Sequence, residues 1–573
     1  MKTKHGSRFT KTRDCLRMNK SITMERILFI VPPYIKFESF VRPAFNERVV
    51  QKRTGNYGSV LTEMPIGLIS LSAYLKKNAP VEVRLLDFNV VLNKIESFNY
   101  NSFAELFFET LSAPEWKDFA PTMVGISALF APAYYNMLDL AATARKIFPA
   151  SMLMAGGGVP TNMYREMFKA SDCFDAICYG EAEKPLLALV KAGDKKALLR
   201  NHLSWITREK AENNQMFQFD FIEDLDEIPF YDFSILNADD YREHSLLGLF
   251  PLEKERQKKG MPIMTSRGCP HKCCFCASHT VHGRVVRFHS LKRVREDLMR
   301  LRDEYGAQTA VFFDDHLLVN RHRAFEIVNI LNELKLTSFF PSSLALYALD
   351  YKMLEALKST GMDNLILSVE SGSERVLREI MHKPLNLSIV SRVLRDCRAL
   401  GIASDVSILI GLPGETKQDI EDALAFLKTL NASWFRISMA TPLVGSEMLD
   451  TCLQKNFIKG DYMSCDFKRA VIGTDDFTPE YIQEKAYTMN LELNFALNTE
   501  FRLGNYATAL KGFANTIQAR DDHAFAYYFA AKCYKMMNQA DKYDEYRSKY
   551  NAIVSQSAFW KKYAEQFALA PLV

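Results

Sequence analysis

Residues 266–278, SRGCPHKCCFCAS, contain a C-x3-C-x2-C motif with an aromatic residue before the last cysteine. Its members are Cys269, Cys273, Phe275 and Cys276. Three thiolates held in one tight loop can ligate three irons of a cubane cluster and leave the fourth iron open. An open iron can bind a small chelating substrate, whereas a fourth cysteine would close the cluster for electron transfer alone.

A zinc knuckle is the structural alternative for the same cysteines. It needs four ligands arranged as a tetrahedron. The nearby candidates for the fourth ligand, His271 and Cys274, lie inside the loop, where they cannot easily close that tetrahedron. The motif therefore favours a cluster with one open iron.

The motif resembles that of the radical S-adenosylmethionine (SAM) superfamily, whose signature is C-x3-C-x-aromatic-C. The resemblance implies that Cys269, Cys273 and Cys276 hold a [4Fe-4S] cluster and form the catalytic set. It implies that the open iron chelates SAM and that one electron splits the sulfonium, which gives methionine and a 5′-deoxyadenosyl radical. An external electron donor of the flavodoxin or ferredoxin type would supply that electron.

Four apolar segments downstream each end in polar or glycine-containing residues: TAVFFDDHLL, LILSVESGSERVL, VSILIGLPGET and ISMATPLVGSEML. Each precedes a helix-like stretch, so residues 260–475 are predicted to form βα units of a partial or full TIM-type barrel. In such barrels active residues gather at the C-terminal ends of the strands. The residues predicted at those ends are Asp314, Asp315, Glu370, Ser371, Gly411 and Glu415.

The resemblance also implies contacts with SAM. Phe275 is expected against the adenine region, and Gly411 and Pro413 are candidates to pack beside adenine. Glu370 and Ser371 match positions that often bind the ribose or the SAM amino group.

The segment FFDDHL falls where many relatives carry a glycine-rich turn near the SAM amino group. Its glycines are missing, so the resemblance implies only a loose role for Asp314 or Asp315. Orientation of the substrate is one alternative, and capping of the next helix is another.

Several basic residues lie close to the motif in sequence. The histidines have no ligand spacing and are predicted to be generic polar residues: His279, His282, His289 and His316. Arg284 and Arg287 could pair with a carboxylate of SAM or of a corrin, although structural ion pairs are the commoner role for such arginines.

Residues 24–193 alternate short apolar segments with amphipathic stretches, beginning with RILFIVPPY. This alternation predicts an α/β fold, a doubly wound Rossmann-like sheet that binds ligands at the carboxyl ends of its strands. The fold alone does not separate a ligand-binding domain from an empty one, because residues 156–158 lack the G-x-G-x-x-G spacing.

The same region resembles the cobalamin-binding domain that precedes many radical SAM cores. Ser127 and Leu129 match its S-x-L motif, and Gly156 and Gly157 match its G-G motif. Glycines there let the backbone approach a buried nucleotide tail without a Cβ clash. Gly180 and Glu181 begin a turn similar to the GEGE-like turn of this subgroup.

The chain departs from other cobalamin domains at the axial ligand. The D-x-H-x-x-G motif is absent, and no histidine occurs between His5 and His202. Cobalamin bound here would receive no imidazole from this domain, so its lower face would be left to water, to another side chain or empty. Axial ligation is one way in which a protein sets the reactivity of a metal.

Composition indicates an ordinary globular protein of several domains, with 48% hydrophobic and 24% charged residues. A formal net charge of +4 is too small to indicate a nucleic-acid partner. The 11 cysteines show no disulfide pattern, which favours a reducing cytoplasm. No apolar run is long enough for a transmembrane segment.

Three further regions complete the predicted organisation. Residues 1–23 are predicted to be a basic, disordered extension without a secretory h-region, and Met24 is a candidate start. Residues 194–259 are a charged linker. Residues 476–573 are predicted to be all-helical and resemble about two tetratricopeptide (TPR) repeats, which are too few for an independent solenoid. A helical cap is favoured there, and a groove for a peptide or protein partner is the alternative.

Together the two resemblances imply a cobalamin-dependent radical SAM methyltransferase that methylates an unactivated carbon of a small-molecule or peptide substrate. A cobalamin-dependent oxidation or ring-forming reaction, as in the anaerobic porphyrin cyclases, uses the same cofactors. A tRNA methylthiotransferase would carry a second cysteine triad, which the first domain lacks. The non-enzymatic alternative is a cofactor-binding scaffold recruited through its helical tail.

Overall fold

The computed structural model describes residues 24–43, 49–241, 258–465 and 469–572, so the predicted N-terminal extension lies outside the described residues. The strands are β1 (Glu25–Val31), β2 (Val49–Lys52), β3 (Gly55–Gly58), β4 (Val81–Asp87), β5 (Met123–Ser127), β6 (Met152–Gly156), β7 (Ala176–Cys178), β8 (Trp205–Ile206), β9 (Gly260–Ile263), β10 (Ser266–Arg267), β11 (Arg287–Phe288), β12 (Thr309–Phe312), β13 (Thr337–Phe339), β14 (Asn364–Glu370), β15 (Ala403–Ile410) and β16 (Trp434–Met439).

The helices of the first domain are α1 (Phe37–Val41), α2 (Ile66–Asn78), α3 (Phe88–Lys94), α4 (Phe103–Leu111), α5 (Pro114–Phe119), α6 (Tyr134–Ile147), α7 (Gly158–Ala170), α8 (Glu183–Lys191), α9 (Lys195–Asn201) and α10 (Arg208–Glu212). Those of the barrel are α11 (His279–His282), α12 (Leu291–Asp303), α13 (Arg321–Leu334), α14 (Tyr351–Ser359), α15 (Ser388–Ala399), α16 (Lys417–Lys428) and α17 (Glu447–Gln454). The tail contains α18 (Pro479–Leu491), α19 (Thr499–Arg502), α20 (Tyr506–Ala519), α21 (Ala524–Met536), α22 (Ala540–Gln556) and α23 (Ala558–Gln566).

The first domain is a six-stranded sheet of order β4-β1-β5-β6-β7-β8, parallel except for β8. Alternate residues of β1 point to opposite faces: Leu28 and Ile30 join one buried cluster, while Ile27 and Phe29 join another. Helices α4 and α6 cover the first face, and α2 and α8 cover the second. This is the predicted doubly wound arrangement, and the sheet continues past residue 193 as β8.

The second domain contains two three-stranded parallel sheets, β13-β12-β9 and β14-β15-β16. A parallel bridge between Leu344 and Leu367 joins them into one curved wall. Among the described residues β16 does not pair with β9, so the barrel is partial. Its helices begin at hydrogen-bonded caps, such as Ser290 before α12, Asn320 before α13 and a capping box at Thr416 before α16.

The segment between the domains packs along both of them. Asp232 accepts a hydrogen bond from Ser72 and forms an ion pair with Lys76 on α2. Phe230 and Phe233 insert into the barrel core. The predicted linker is therefore an ordered connection over its described residues.

The tail is helical, as predicted, and it covers the last strand of the barrel. The side-chain amide of Asn494 accepts a hydrogen bond from the Phe435 N–H at 2.8 Å and donates one to the Phe435 carbonyl at 2.7 Å. It thereby replaces the neighbour that an edge strand lacks. The tail acts as a cap on the barrel, and its resemblance to TPR repeats stays a prediction. Among the described residues, no helix combines the length and apolar character needed to cross a bilayer.

Candidate active site between the two domains

The cluster loop, residues 268–286, is closed at its base by the β10–β11 hairpin, which pairs Arg267 with Arg287. Gly268 starts the loop with a φ of +97°. A Cβ at this position would lie 2.4 Å from the carbonyl oxygen of Val285. Only glycine fits this approach, so Gly268 sets the direction in which the loop leaves the hairpin.

Adjacent cysteines of the loop face opposite sides. The three predicted cluster ligands are partly exposed, whereas Cys274 is 5% exposed and packs into the barrel core. The Cys274 N–H donates to the Met381 carbonyl at 3.0 Å, and its own carbonyl accepts from Met448 N–H at 2.8 Å. These contacts leave Cys273 available beside the other two thiols. Burial raises the pKa of Cys269 to about 11, so the free thiol is protonated near pH 7 and would lose its proton on binding iron.

Across residues 24–43, 49–241, 258–465 and 469–572, no group of three or more His, Cys, Asp or Glu side chains converges tightly enough for a single metal ion. A cubane cluster instead distributes its cysteine ligands over separate irons.

Two neighbouring carboxylates, which follow the end of β12, accept hydrogen bonds from the start of the cluster loop. Asp314 accepts hydrogen bonds from the Thr265 hydroxyl at 2.7 Å and the Ser266 hydroxyl at 2.5 Å. Asp315 accepts one from the Gly268 N–H at 2.8 Å. Asp314 is 5% exposed, and its burial raises its pKa. Both aspartates therefore position the backbone just before the first cluster cysteine.

The predicted ribose-side residues lie at the end of β14. Glu370 has a φ of +69°, which is rare for a non-glycine residue and typical of functional sites. Its Oε1 lies 3.7 Å from Lys383 Nζ. Burial raises the pKa of Cys273, Lys383 lowers it and Glu370 raises it, so both charges lie near that thiol. Ser371 is buried, and its hydroxyl accepts a hydrogen bond from the Ser373 N–H at 3.1 Å.

The predicted adenine-side residues are more deeply packed. Gly411 has a φ of +89°, and its N–H donates to Glu415 Oε2 at 2.6 Å. A Cβ on Gly411 would lie 2.9 Å from Ile482 of α18. Pro413 is buried, and Phe275 is half-buried against the barrel core. These residues form a rigid rim, and their contacts with SAM stay predictions.

A histidine–tyrosine cluster at the barrel mouth was not predicted from the sequence. Tyr347 Oη lies 2.6 Å from His316 Nε2 and 2.9 Å from His271 Nε2, and the two nitrogens are 3.1 Å apart. Burial lowers the pKa of His316 to about 4, so this imidazole is neutral near pH 7. The histidine–tyrosine group therefore places neutral hydrogen-bonding side chains beside the loop that carries the three cysteines.

The barrel interior has one polar wall. Ser368, Ser407 and Arg436 form a row across β14, β15 and β16, because the register pairs each with the next. All three are partly exposed, while the alternating residues Leu367, Val369, Val406, Ile408 and Phe435 are buried in the core. Arg436 Nε donates to Asp405 Oδ2 at 2.6 Å. Within the described part of the chain, Arg436 Nη2 and Asp405 Oδ1 are buried without a hydrogen-bond partner.

A cavity of about 150 Å³ opens at the carboxyl ends of β5, β6 and β7. The predicted cobalamin residues that line it are Ser127, Gly156, Gly157, Gly180 and Glu181. Most of the remaining wall is apolar: Phe29, Leu68, Leu71, Met154, Leu186 and Trp205. Leu129 does not line the cavity and is 58% exposed, although its side chain lies 3.6 Å from the Cβ position of Gly158.

Two adjacent glycines of the cavity differ in what surrounds them. A Cβ on Gly156 would meet only Cys178, at 4.0 Å, so this position opens into the cavity. A Cβ on Gly157, which has a φ of +95°, would lie 2.6 Å from the Ala128 carbonyl oxygen. Gly157 therefore serves the fold, whereas Gly156 leaves room that a bound group can occupy. This room and the apolar wall fit the flat base of a nucleotide tail.

A buried ion cluster joins the cavity to the cluster loop. Glu181 accepts from Arg287 at 2.6 and 3.0 Å, from Arg267 at 3.1 Å and from His282 at 2.9 Å. Arg267 also contacts Glu183 at 2.8 Å. Burial alone raises the pKa of Glu181, but its three cationic or N–H partners outweigh burial and hold the pKa well below its usual range. The partners lie about 85 to 105 residues away in sequence, so no local pattern indicated the cluster.

Residues 263–427 match the family model of the radical SAM superfamily, and residues 59–190 match that of the B12 binding domain. The chain is a radical SAM protein with a B12-binding domain. Its cofactors are a [4Fe-4S] cluster, SAM and cobalamin. The cysteine trio, the cavity and the ion cluster of this radical SAM protein thus lie where two cofactor-binding domains meet.

Several relatives span most of the radical SAM chain. An uncharacterized methyltransferase of Pyrococcus horikoshii is 26% identical over 76% of this chain and 84% of its own. The cytidylyl-2-hydroxyethylphosphonate methyltransferase of Streptomyces wedmorensis is 26% identical over 66% of this chain and 76% of its own. The hopanoid C-3 methylase of Methylococcus capsulatus is 24% identical over 74% and 76%. These relatives support a cobalamin-dependent radical SAM methyltransferase.

Two solved structures share the fold of this radical SAM protein. The methyltransferase TsrM from Kitasatospora setae, with cobalamin and a [4Fe-4S] cluster bound, covers 92% of this chain and 100% of its own, with a TM-score of 0.55 and 13% identity. The cobalamin-dependent radical enzyme OxsB covers 96% of this chain and 82% of its own, with a TM-score of 0.57 and 12% identity. The likeness extends over both cofactor-binding domains and supports the predicted architecture.

Proposed function

We propose that this enzyme methylates an unactivated carbon of a polar substrate held in the barrel. The observation that supports this proposal most directly is the contact between the cluster loop and the lining of the cobalamin cavity. Arg267 lies two residues before Cys269 and is bound to Glu181, which lines the cobalamin cavity. A substrate at the barrel mouth would therefore meet both cofactors.

When bound, the cluster and SAM supply one-electron chemistry that activates a carbon–hydrogen bond, and cobalamin supplies a methyl group. The chain's own residues hold and orient these groups. Cys269, Cys273 and Cys276 would ligate the cluster. Asp314 and Asp315 fix the backbone that carries the first of them.

The polar wall supports a substrate with hydroxyl or anionic groups. Arg436 uses its Nε on Asp405, and its Nη2 has no hydrogen-bond partner among the described residues, so this nitrogen can donate to an anion. Ser368 and Ser407 add hydroxyls in the same row. A hydrocarbon substrate would leave these groups unpaired, at a cost of about 1–3 kcal/mol for each buried group. The wall therefore favours a substrate of the phosphonate kind, after which one relative is named, over a hopanoid.

Anaerobic turnover with S-adenosyl-[methyl-²H₃]methionine tests the proposal. Reduced, cobalamin-loaded enzyme is incubated with two sets of compounds, one of phosphorylated or hydroxylated metabolites and one of lipids. We expect a trideuteromethyl product from the polar set, with 5′-deoxyadenosine and S-adenosylhomocysteine formed in equal amounts. Labelled product from the lipid set alone would contradict the substrate class.

An Arg436→Gln variant separates substrate binding from cofactor chemistry. We expect it to lose product while it still cleaves SAM to 5′-deoxyadenosine, because Arg436 touches none of the predicted cluster ligands. An oxidised or cyclised product without the labelled methyl group would favour the cyclase-like alternative instead.

A further inference from the structure

The cobalamin cavity is not built by the first domain alone. Val281 and His282, on α11 of the radical SAM core, line it together with residues of the B12-binding domain. Helix α11 is held there by Asn162 of α7, whose amide donates to the Thr280 hydroxyl at 2.8 Å. Val281 also lies 3.9 Å from the Cβ position of Gly158. The core therefore closes one end of the cavity.

The imidazole of His282 has a defined orientation. Its Nδ1 lies 2.9 Å from Glu181 Oε1, and an ionised carboxylate can only accept a hydrogen bond. Nδ1 therefore carries the proton and donates it. Arg267 and Arg287 supply the positive charges that face Glu181 and Glu183.

This tautomer leaves Nε2 of His282 as an acceptor. Among the described residues Nε2 has no hydrogen-bond partner, although the Glu181 contact fixes the ring. The two nitrogens lie on different sides of an imidazole, so Nε2 is directed away from Glu181. A ligand in the cavity that offers an O–H or N–H donor can fill this position.

Cobalamin offers two kinds of donor, the amide N–H groups around its corrin ring and the ribose hydroxyls of its nucleotide end, whereas its phosphate only accepts hydrogen bonds. A cavity of about 150 Å³ has no room for the corrin ring, so the nucleotide end is the part that would enter it. We propose that His282 accepts a hydrogen bond from a ribose hydroxyl at the nucleotide end of cobalamin. The radical SAM core, which also carries the cluster, thereby helps to select the complete cofactor.

Comparison of cobalamin with cobinamide, which lacks the nucleotide end, tests this proposal in the full-length protein with its cluster in place. Affinities for aquocobalamin and diaquocobinamide are measured by anaerobic absorbance titration. We expect His282→Ala and His282→Phe to weaken cobalamin binding by about three- to tenfold, the effect of one neutral hydrogen bond, and to leave cobinamide binding unchanged. His282→Gln, whose amide oxygen can accept near the Nε2 position, should restore most of the affinity.

His279, on the same helix and outside the cavity lining, is the matched control. Its alanine variant should bind both corrinoids as the wild type does. Equal weakening of cobalamin and cobinamide by the His282 variants would overturn the proposal, because the histidine would then act on the corrin body or on the fold. Unchanged affinity for both would overturn it as well. The assay involves no methyl transfer, so its outcome is independent of the proposed reaction.

Discussion

The paired glycines of the B12-binding domain give the sharpest test of the cavity. In Gly156→Ala the new Cβ has its nearest neighbour at 4.0 Å, on Cys178, so the free protein accepts it without strain. Its free energy of unfolding should stay the same or rise by about 0.4–1 kcal/mol, since alanine restricts the unfolded chain. The same Cβ projects into the cavity, where excess packing costs about 1–3 kcal/mol. We therefore expect cobalamin binding to weaken by about 5- to 150-fold.

Gly157→Ala should show the opposite behaviour. Its Cβ meets the Ala128 carbonyl at 2.6 Å, and its φ of +95° is unfavourable for alanine, so the free protein should lose at least about 1–3 kcal/mol. Absorbance titration with cobalamin and urea unfolding of the cobalamin-free protein measure the two effects separately. Normal cobalamin affinity in Gly156→Ala would show that this position does not face the bound cofactor, and a clear loss of stability without cofactor would show that its Cβ has no free space.

Three further variants test the other structural elements. Glu181→Gln leaves the buried Arg287 without its carboxylate and Arg267 with Glu183 alone, and it should cost about 3–5 kcal/mol in urea unfolding. Burial raises the pKa of Glu415 from 4.5 to about 8. Between these two pH values the native state therefore binds more protons than the unfolded state, and the free energy of unfolding falls as the pH rises. Glu415→Gln should therefore be more stabilising at pH 8 than at pH 5, as thermal unfolding at the two pH values would show. Asn494→Ala removes both hydrogen bonds to Phe435 and should cost about 2–6 kcal/mol in unfolding, since two buried backbone groups lose their partners.

Distinct outcomes would contradict each of these. An unchanged midpoint for Glu181→Gln would mean that the ion cluster does not hold the domains together. For Glu415→Gln, the contrary result is an equal effect at both pH values. A normal midpoint for Asn494→Ala would show that the tail does not seal the β16 edge.

The sequence predicted features that depend on local chemistry. The spacing of Cys269, Cys273 and Cys276 can be read from one loop, and the glycines at 156 and 157 stand at the end of one strand. The doubly wound sheet followed from the alternation of apolar and amphipathic segments. Each of these signals is contained in a short stretch of chain.

Features that join distant segments could not be predicted in this way. The contact of Glu181 with Arg287 joins residues 106 positions apart. The sequence assigns Glu181 to the cobalamin turn and Arg287 to the region after the cluster motif, and nothing in it pairs the two. His282 has no ligand spacing in sequence, and only the packing of α11 on α7 brings it to the cavity. The cluster of His271, His316 and Tyr347 likewise depends on how the cluster loop and the segments after β12 and β13 meet at the barrel mouth.

Electron paramagnetic resonance of the reduced, oxygen-protected enzyme, recorded with and without SAM, tests the open iron that the whole mechanism requires. We expect a [4Fe-4S] signal that changes when SAM is added, because SAM would bind to the iron without a cysteine ligand. A cluster signal that is identical with and without SAM would contradict it.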